Sequence, residues 1–273
     1  MSSDTWPNGS HAAVLLNIMY EQWSHSAWPK IGPMGNPLPQ GATDYQARSW
    51  AAYGTRTGIW DVLNTLESAS VLATFYISGQ LTETEPASVT AIAGQGHEIA
   101  AHAWSQDAAP ALMSREAEGA EIKRCARAIT GLVGKPPKGW MSPRCTPSDS
   151  TPELLAAAGF TWTGDVFDAA TPYNITTQSG TITAFPFSLE INDLPLTVRY
   201  GLPLTELYTR FAHLASFYED RSLKGYIDVT IHTHIAARHA GLVVLDRIIA
   251  EARKRGIWIA TRSEALTALA TGH

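Results

Sequence analysis

Cysteine and clustered positive charge are both scarce in this sequence. Only two of the 273 residues are cysteines, Cys125 and Cys145, and they form no C-x-x-C pattern. The chain has 20 Lys and Arg against 25 Asp and Glu, a formal net charge of −5 at pH 7, and no long run of basic residues. We therefore expect two reduced thiols without a role. We also expect no nucleic-acid partner, because binding phosphates needs a positive surface.

Long hydrophobic runs are also missing. The first apolar run reaches only from Ala12 to about Tyr20 and follows no basic segment, so it is too short for a signal peptide or a membrane span. The composition of 45% hydrophobic and 16% charged residues is typical of a globular protein with a large core. We expect a cytoplasmic protein without a membrane partner, folded as one domain over residues 1–273.

Short aliphatic or β-branched runs alternate with helical periodicity along the chain. The predicted strands are Ala12–Tyr20, Val71–Ile77, Glu98–Ala103, Lys138–Met141, Phe160–Thr163, Thr181–Phe187, Tyr226–Ile231 and Trp258–Ala260. The predicted helices are Gly58–Ser68, Pro86–Ala93, Ser114–Leu132, Thr151–Ala157, Leu204–Tyr218, Gly241–Arg255 and a C-terminal helix from Ser263. This alternation predicts an α/β protein, most economically a closed or nearly closed barrel whose active site lies at the carboxyl ends of the strands.

One segment, from Trp23 to Thr57, interrupts this alternation. It is rich in Trp, Pro and Gly, which predicts a long loop insertion at about residues 23–57. Connections of this length are usually functional or belong to an interface. Because the segment follows the first strand, it could cover the face at the strand ends. We also expect the protein to form a homo-oligomer.

Polar and aromatic side chains follow four of the predicted strands. The first strand leads into Tyr20, Glu21, Gln22 and Trp23, the third into His102, Trp104 and Gln106, the fourth into Trp140 and Arg144, and the seventh into His232 and His234. An acid, a histidine and an arginine at separate strand ends suit acid–base hydrolysis with a stabilised oxyanion. We predict that Glu21, His102, Arg144 and His232 are catalytic.

The remaining strand-end residues are predicted to bind a small-molecule substrate, because such pockets are mostly aromatic and apolar. They are Tyr20, Gln22, Trp23, Trp104, Gln106, Trp140 and His234. His97 is predicted to be a structural histidine with a hydrogen bond. Glu190, Asn192 and Asp193 are predicted to serve turn chemistry.

Four segments of the chain resemble the polysaccharide deacetylase family, which has a NodB-like domain. They are TFYISGQLTETEPASVTAIAGQGHEIAAHAWS, KPPKGWMSPRCTPSDSTPELLAAAGFTW, PFSLEINDLP and VTIHTHIAARHAGLVVLDRIIAEARKRGIWIATRSEAL, and the resemblance runs from about Trp6 to Leu266. It implies a single distorted (β/α)7 barrel, in which one Asp and two His usually hold a divalent metal.

The metal-binding motifs of that family are altered in this chain. The H-x-x-x-H pair corresponds to His102 and Gln106, and the adjacent Asp-Asp aligns most simply with Glu21-Gln22. A second alignment puts Glu21 at the ligand position and Met19 at the base. Amide oxygens replace imidazole poorly on zinc. We therefore predict no metal and no other cofactor, with zinc as the alternative.

The chain is closest in pattern to the metal-independent allantoinase branch of this family. The similarity lies in N-x-x-Y-E from Asn17 to Glu21, YGTRTGIW from Tyr53 to Trp60, and Gly139-Trp140 followed by Arg144. It implies a hydrolase of a non-peptide carbon–nitrogen bond in a small cyclic amide, imide or ureide. The acidic pair that usually precedes Leu-Pro-aromatic is absent, because residues 169–173 read AATPY.

Within that reaction, we predict a role for each candidate catalytic residue. Glu21 would accept a proton from water, Arg144 and His102 would hold the carbonyl and the oxyanion, and His232 would protonate the leaving nitrogen. Three alternatives stay open. They are a metal-dependent N-deacetylase of an amino sugar, a descendant that only binds a ligand, and an enzyme that moves protons in an isomerisation or elimination.

Overall fold

The strands and helices alternate along the chain in the computed structural model, which describes residues 4–24, 33, 38–39 and 42–271. The strands are β1 (Ala12–Tyr20), β2 (Thr74–Ile77), β3 (Glu98–Ala101), β4 (Gly139–Trp140), β5 (Trp162–Thr163), β6 (Tyr173–Thr177), β7 (Gly180–Ala184), β8 (Gly225–His232) and β9 (Trp258–Ala260). The helices are α1 (Tyr45–Tyr53), α2 (Ile59–Ser68), α3 (Leu81–Thr84), α4 (Pro86–Gly94), α5 (Arg115–Val133), α6 (Thr151–Ala157), α7 (Thr205–Arg221), α8 (His239–Lys254) and α9 (Arg262–Ala270).

The strands form one curled sheet in the order β6-β7-β5-β4-β3-β2-β1-β8, and β9 pairs with the first half of β1. Neighbours from β7 to β8 in this order are parallel, β9 is also parallel to β1, and β6 is antiparallel to β7. The chain after β7 spans the gap to β8, where Asn192 pairs with Thr230 and the Tyr226 hydroxyl donates to the Pro186 carbonyl. The predicted α/β fold, a distorted (β/α)7 barrel, is therefore confirmed.

Alternation along β1 separates the barrel interior from the helix layer. Residues Val14, Leu16, Ile18 and Tyr20 pack into the large core between the sheet and the helices. Met19 faces the other way and packs among residues of β2, β3 and β5. Because successive side chains in a strand point to opposite faces, the residue after Tyr20 points into the barrel. This register directs Glu21 to the interior.

A buried ion pair fills the barrel interior below Met19. The Arg262 guanidinium donates to Asp228 Oδ1 at 2.7 Å, and the Asn17 amide donates to the same oxygen at 2.9 Å. Arg262 also donates to the Phe185 carbonyl at 3.2 Å. Each charged group has several partners, as burial requires. This layer forms a polar floor beneath the carboxyl ends of the strands.

The predicted loop over residues 23–57 is wrong at its C-terminal end. Helix α1 begins at Tyr45, where the Asp44 side chain accepts a hydrogen bond from the Ala47 amide and caps the helix. It runs directly into a π-helical segment, Gly54–Gly58, and then into α2. The prolines of this segment end at Pro39, so residues 42–57 contain no proline to break a helix. The rest of the predicted loop, residues 25–32, 34–37 and 40–41, lies outside the described residues.

All eight predicted strands are present, several of them shorter than predicted, and the sequence missed β6, α1 and α3. Strand β6 was not predicted because its residues alternate between half-buried and exposed positions and three of them are polar. No helix in the described part of the chain is long and apolar enough to cross a membrane. The single domain over residues 1–273 stays a prediction.

Candidate functional site

Three histidines surround the carboxylate of Glu21 at the carboxyl end of the sheet. Glu21 Oε1 lies 3.3 Å from His102 Nε2 and 3.9 Å from His232 Nε2, and Glu21 Oε2 lies 3.9 Å from His234 Nδ1. The four residues follow or end β1, β3 and β8, and all are buried. The structure thus brings together Glu21, His102, His232 and His234, as the sequence predicts.

A cavity of about 260 Å³ opens onto this cluster. Glu21, His102 and His232 lie at its buried end. Asn192 is a buried polar residue of its wall, and the remaining lining residues are apolar or lie near the surface: Met19, Met141, Arg144, Cys145, Phe167, Phe187, Leu189, Leu194, Pro195, Arg199 and Tyr200. Arg144 is therefore at the cavity, as predicted, and its side chain is exposed. The predicted site lies in a real cavity, whose small volume suits a small ligand.

The pKa of Glu21 is about 2, below its ordinary value of 4.5. Burial alone would raise it, but His232, the hydrogen bond from His102 and His234 together lower it further than burial raises it. Glu21 is therefore ionised at neutral pH.

His102 is oriented by a hydrogen bond on its far side. Its Nδ1 lies 2.7 Å from the Met141 carbonyl oxygen. A carbonyl can only accept, so Nδ1 carries a proton, and the second nitrogen needs its own proton to donate to the ionised Glu21. His102 Nε2 thus faces the Glu21 carboxylate at the buried end of the cavity.

His232 is held by Asp193. Its Nδ1 donates to Asp193 Oδ1 at 2.5 Å, and Asp193 Oδ2 accepts the backbone N–H groups of His232 and Ala236 at 2.8 and 3.1 Å. Burial lowers the pKa of His232, but Asp193 and Glu21 outweigh it and raise the pKa above the ordinary 6.5. The assignment of Asp193 to turn chemistry is therefore wrong, because both its oxygens bind the His232 segment.

Asn192 does take part in turn chemistry, since its side-chain oxygen accepts the Leu194 N–H. It also lines the cavity. Nothing in the spacing of the sequence connects Asp193 with His232, because the two residues are 39 positions apart.

His234 is enclosed by two tryptophans that meet its ring edge-on. The ring centroids of Trp23 and Trp50 lie 5.4 and 4.7 Å from that of His234. Burial lowers the pKa of His234 to about 4, so the ring is neutral at neutral pH. Its Nδ1 has no hydrogen-bond partner among the described residues. Trp23 thus contacts His234 without lining the cavity, so its predicted contact with substrate stays a prediction. Trp50 was missed because it lies in the segment predicted as loop.

Two glycines let the π-helical segment approach β8 closely enough to place Trp50 on His234. A Cβ on Gly58 would lie 2.1 Å from the Thr233 carbonyl oxygen, and one on Gly54 would lie 2.7 Å from Thr233 Oγ1. Contacts this short are excluded by sterics, so only glycine fits. The wall behind His234 therefore depends on backbone contact between residues 54–58 and the turn after β8.

Left-handed backbone conformations occur next to the predicted catalytic residues. Ala103, directly after His102, has φ 54°, and the consecutive Arg144 and Cys145 have φ 56° and 51°. Such values are unfavourable for residues with a Cβ and tend to occur at functional sites. The turn that carries Arg144 is held by Asp165, which accepts hydrogen bonds from the amide and hydroxyl of Ser142 at 2.7 Å each.

Three aromatic residues predicted to bind substrate point away from the cavity. Tyr20 is fully buried, and its hydroxyl hydrogen-bonds Ser88 of α4 at 2.8 Å. Trp140 is also fully buried and packs edge-on against Phe160. In both strands the alternation of side chains directs the next residue, not the aromatic one, inward. The predictions for Tyr20 and Trp140 are therefore wrong.

The prediction for Trp104 is wrong for a different reason. Alternation from His102 would keep Trp104 on the inner face, but the left-handed residue Ala103 turns the chain. The Trp104 ring lies under the Arg124 guanidinium of α5, 3.4 Å from the ring centroid. Its side chain is part of the helix layer rather than the cavity wall.

The two glutamines at the family's metal positions are engaged elsewhere. Gln106 Nε2 donates to Ser78 Oγ at 3.2 Å, and Gln22 Oε1 accepts from Thr84 Oγ1 at 2.7 Å. Neither side chain lines the cavity, so their predicted contact with substrate is not supported. Of the two alignments of the first motif, only the pair Met19 and Glu21 has both members at the cavity.

The residues at the family's metal-binding positions make contacts within the protein. Glu21 and His102 are in direct contact, and the amides of Gln22 and Gln106 already have hydrogen-bond partners. Within the described ranges, no group of three or more His, Cys, Asp or Glu side chains has the arrangement of a metal site. A zinc site normally needs three protein ligands converging on one point.

Comparison with known proteins gives similar sequences and similar structures. Residues 52–163 match the sequence profile of a family described as polysaccharide deacetylase. A Schizosaccharomyces pombe protein whose name assigns it to the polysaccharide deacetylases is 24% identical over 311 residues, covering 100% of this chain and 94% of that protein. A peptidoglycan deacetylase of Helicobacter pylori is 28% identical over 124 residues, 45% of this chain and 42% of that one.

A crystal structure of the Puue allantoinase superposes with a TM-score of 0.89 at 21% identity. The match covers 99% of this chain and 94% of that one. At this identity the structural likeness establishes the fold. It extends beyond the profile match to almost all of the chain.

Proposed function

We propose that the chain is a member of the polysaccharide deacetylase family and that it hydrolyses a carbon–nitrogen bond in a small cyclic amide, imide or ureide without a metal. It is a hydrolase of carbon–nitrogen bonds other than peptide bonds. The observation that carries the finer proposal is the direct contact between Glu21 and His102 at 3.3 Å. That contact occupies the centre of the site with a carboxylate and an imidazole ring.

Glu21 is the base of the proposed reaction, because it is the ionised carboxylate at the buried end of the cavity. It accepts a proton from the water that attacks the carbonyl carbon. When a substrate carbonyl accepts the hydrogen bond from His102 Nε2–H, Glu21 loses that hydrogen bond. It is one of the interactions that lower the Glu21 pKa. Substrate binding therefore makes Glu21 a stronger base at the point where the reaction needs one.

The developing oxyanion is stabilised by positive charge. His102 presents Nε2–H at the buried end, and the Arg144 guanidinium lies on the cavity wall. Donors held in place before the reaction stabilise the new charge without reorganisation. The strained turn at Arg144 and Cys145 is consistent with a guanidinium held in a defined position.

His232 is the acid that protonates the leaving nitrogen. Asp193 holds the proton on Nδ1 and directs Nε2 toward the cavity, and Asp193 and Glu21 raise the pKa of the ring above 6.5, which favours its protonated form. When the carbon–nitrogen bond breaks, the proton moves from His232 Nε2 to the nitrogen. The ring opens to a carboxylic acid and an amine, amide or urea group on one product molecule, and the water has supplied the acid oxygen.

Three further properties are part of this proposal. The substrate is a small molecule, because a cavity of about 260 Å³ is below the range of roughly 300–1,000 Å³ typical of drug-sized ligands. We also propose that the protein is cytoplasmic and forms a homo-oligomer, as expected from the sequence.

The names of the curated relatives favour a second function, removal of an acetyl group from an amino sugar. In that reaction Glu21 and His102 would have to bind a metal with a third ligand. Their direct contact and the hydrogen bonds of Gln22 and Gln106 argue against such a centre.

An assay with two substrate classes separates these functions. Ring opening of hydantoin, dihydrouracil and glutarimide is measured beside acetate release from N-acetylglucosamine oligomers, each with and without added zinc or cobalt. We expect ring opening of at least one cyclic compound that does not depend on added metal, and no acetate release. Metal-dependent acetate release without ring opening would contradict the proposal.

A further inference from the structure

Two arginines line the outer part of the cavity. Arg144 and Arg199 both contribute to its wall, and both are exposed. They are accompanied by large apolar side chains that are also exposed, Phe167 at 52% and Leu189 at 48%. Exposed apolar groups beside a cavity commonly mark a binding surface. The mouth of the cavity thus combines positive charge with apolar contact area.

The carboxylates close to the cavity already have cationic or hydrogen-bonding partners. Glu21 contacts three imidazoles, and Asp193 binds His232. Within the described part of the chain, neither Arg144 nor Arg199 forms an ion pair with a carboxylate. The two guanidinium groups at the mouth are therefore not paired with a carboxylate of the described residues. A guanidinium in this setting suits a carboxylate, which it can bind through two parallel hydrogen bonds.

The backbone connects Arg199 to the acid of the proposed reaction. Arg199 ends a π-helical segment, Leu194–Arg199, that starts directly after Asp193. Asp193 is fully buried and anchors this segment to His232, while Leu194 and Pro195 form cavity wall along the way. Short π-helical segments are frequent at functional sites. Arg199 is therefore connected to His232 through a short wall segment that Asp193 anchors.

We propose that the substrate carries a carboxylate, and that Arg199 binds this group at the mouth while the scissile bond lies between Glu21 and His232. This inference rests on the proposed function and deepens it. Arg144 is assigned to the reacting carbonyl, which leaves Arg199 for the acidic group. A cavity of about 260 Å³ suits one ring with a short acidic arm.

The test compares hydantoin-5-acetic acid with hydantoin-5-acetamide, which has nearly the same shape and no charge. Steady-state kinetics are measured for the wild type and for Arg199→Gln. We expect Arg199→Gln to raise KM for the acid about 10- to 100-fold, the effect of losing hydrogen bonds to a charged group. For the amide we expect less than about a twofold change in KM, and for both compounds little change in kcat.

Two variants serve as controls for this test. Arg127→Gln removes an exposed arginine of α5 and should leave both compounds unaffected. Arg199→Lys keeps the charge without the planar fork and should restore part of the affinity for the acid. A loss of the same size for acid and amide in Arg199→Gln would overturn the inference, because it would mean that Arg199 only supports the cavity wall.

Calorimetric binding distinguishes this inference from the proposed function. If the wild type opens neither ring, the proposed function fails for these compounds, and binding alone decides the inference. Tighter binding of the acid than of the amide by the wild type, lost in Arg199→Gln, would support it. Equal binding of the two compounds, or no binding of the acid, would overturn it.

Discussion

Glu21 is the residue on which the proposed reaction depends, because three imidazoles converge on its carboxylate. Replacing Glu21 with Gln keeps the shape and removes the ability to accept a proton. We expect kcat to fall about 10²- to 10⁴-fold, the usual contribution of a general base, while ligand affinity by calorimetry stays within a few-fold. Glu83→Gln, an exposed change on α3, is the matched control. Near-normal turnover in Glu21→Gln would remove Glu21 from the reaction.

Asp193 determines the pH range in which His232 can act as an acid. The wild-type pKa of His232 is raised above 6.5, and Glu21 has a pKa of about 2. Activity should therefore fall as His232 loses its proton above its raised pKa. Because Asp193 raises that pKa, Asp193→Asn should move the falling limb of kcat/KM to lower pH. A limb that stays in place would show that another group titrates.

The π-helical segment Gly54–Gly58 is the element that closes the site behind His234. A methyl group on Gly58 would meet the Thr233 carbonyl oxygen at 2.1 Å. We expect Gly58→Ala to lower the free energy of unfolding in urea by about 1–3 kcal/mol, as overpacking does, and to reduce kcat by moving Trp50. Gly131→Ala in α5 is the control, because nothing lies within 4 Å of its Cβ. It should be neutral or stabilise by about 0.4–1 kcal/mol. Equal effects of the two changes would contradict the packing argument.

The register of neighbouring strands explains why the predictions for two strand-end side chains failed. Alternation along β1 and β4 directs Tyr20 and Trp140 into the helix layer, although both stand at strand ends in the sequence. The end of a strand in the sequence indicates only at which edge of the sheet a side chain lies. The face on which it lies depends on the register with neighbouring strands. Helix α1 was missed because the prolines before it dominate the composition of the segment, whereas Asp44 provides a local start signal.

At the scale of the whole molecule, the proposed reaction requires no metal. Extensive dialysis against a chelator should leave both the ring-opening rate and the thermal midpoint unchanged, and metal analysis should find well under one zinc per chain. The physical reason is the donor set, in which Glu21 contacts His102 directly and Gln106 bonds Ser78. Stoichiometric zinc whose removal abolishes turnover would contradict this expectation.

The amino-acid sequence by itself determined the alternation of strands and helices and the four strand ends that supply Glu21, His102, Arg144 and His232. These follow from local periodicity and from residue types at the ends of apolar runs. The tertiary structure alone decided the rest. It joined Asp193 to His232, brought Trp50 against His234, turned Trp104 outward after Ala103, and left Arg199 without a carboxylate partner among the described residues. Each of these depends on contacts between distant residues or on a strained backbone angle, which local sequence patterns do not encode.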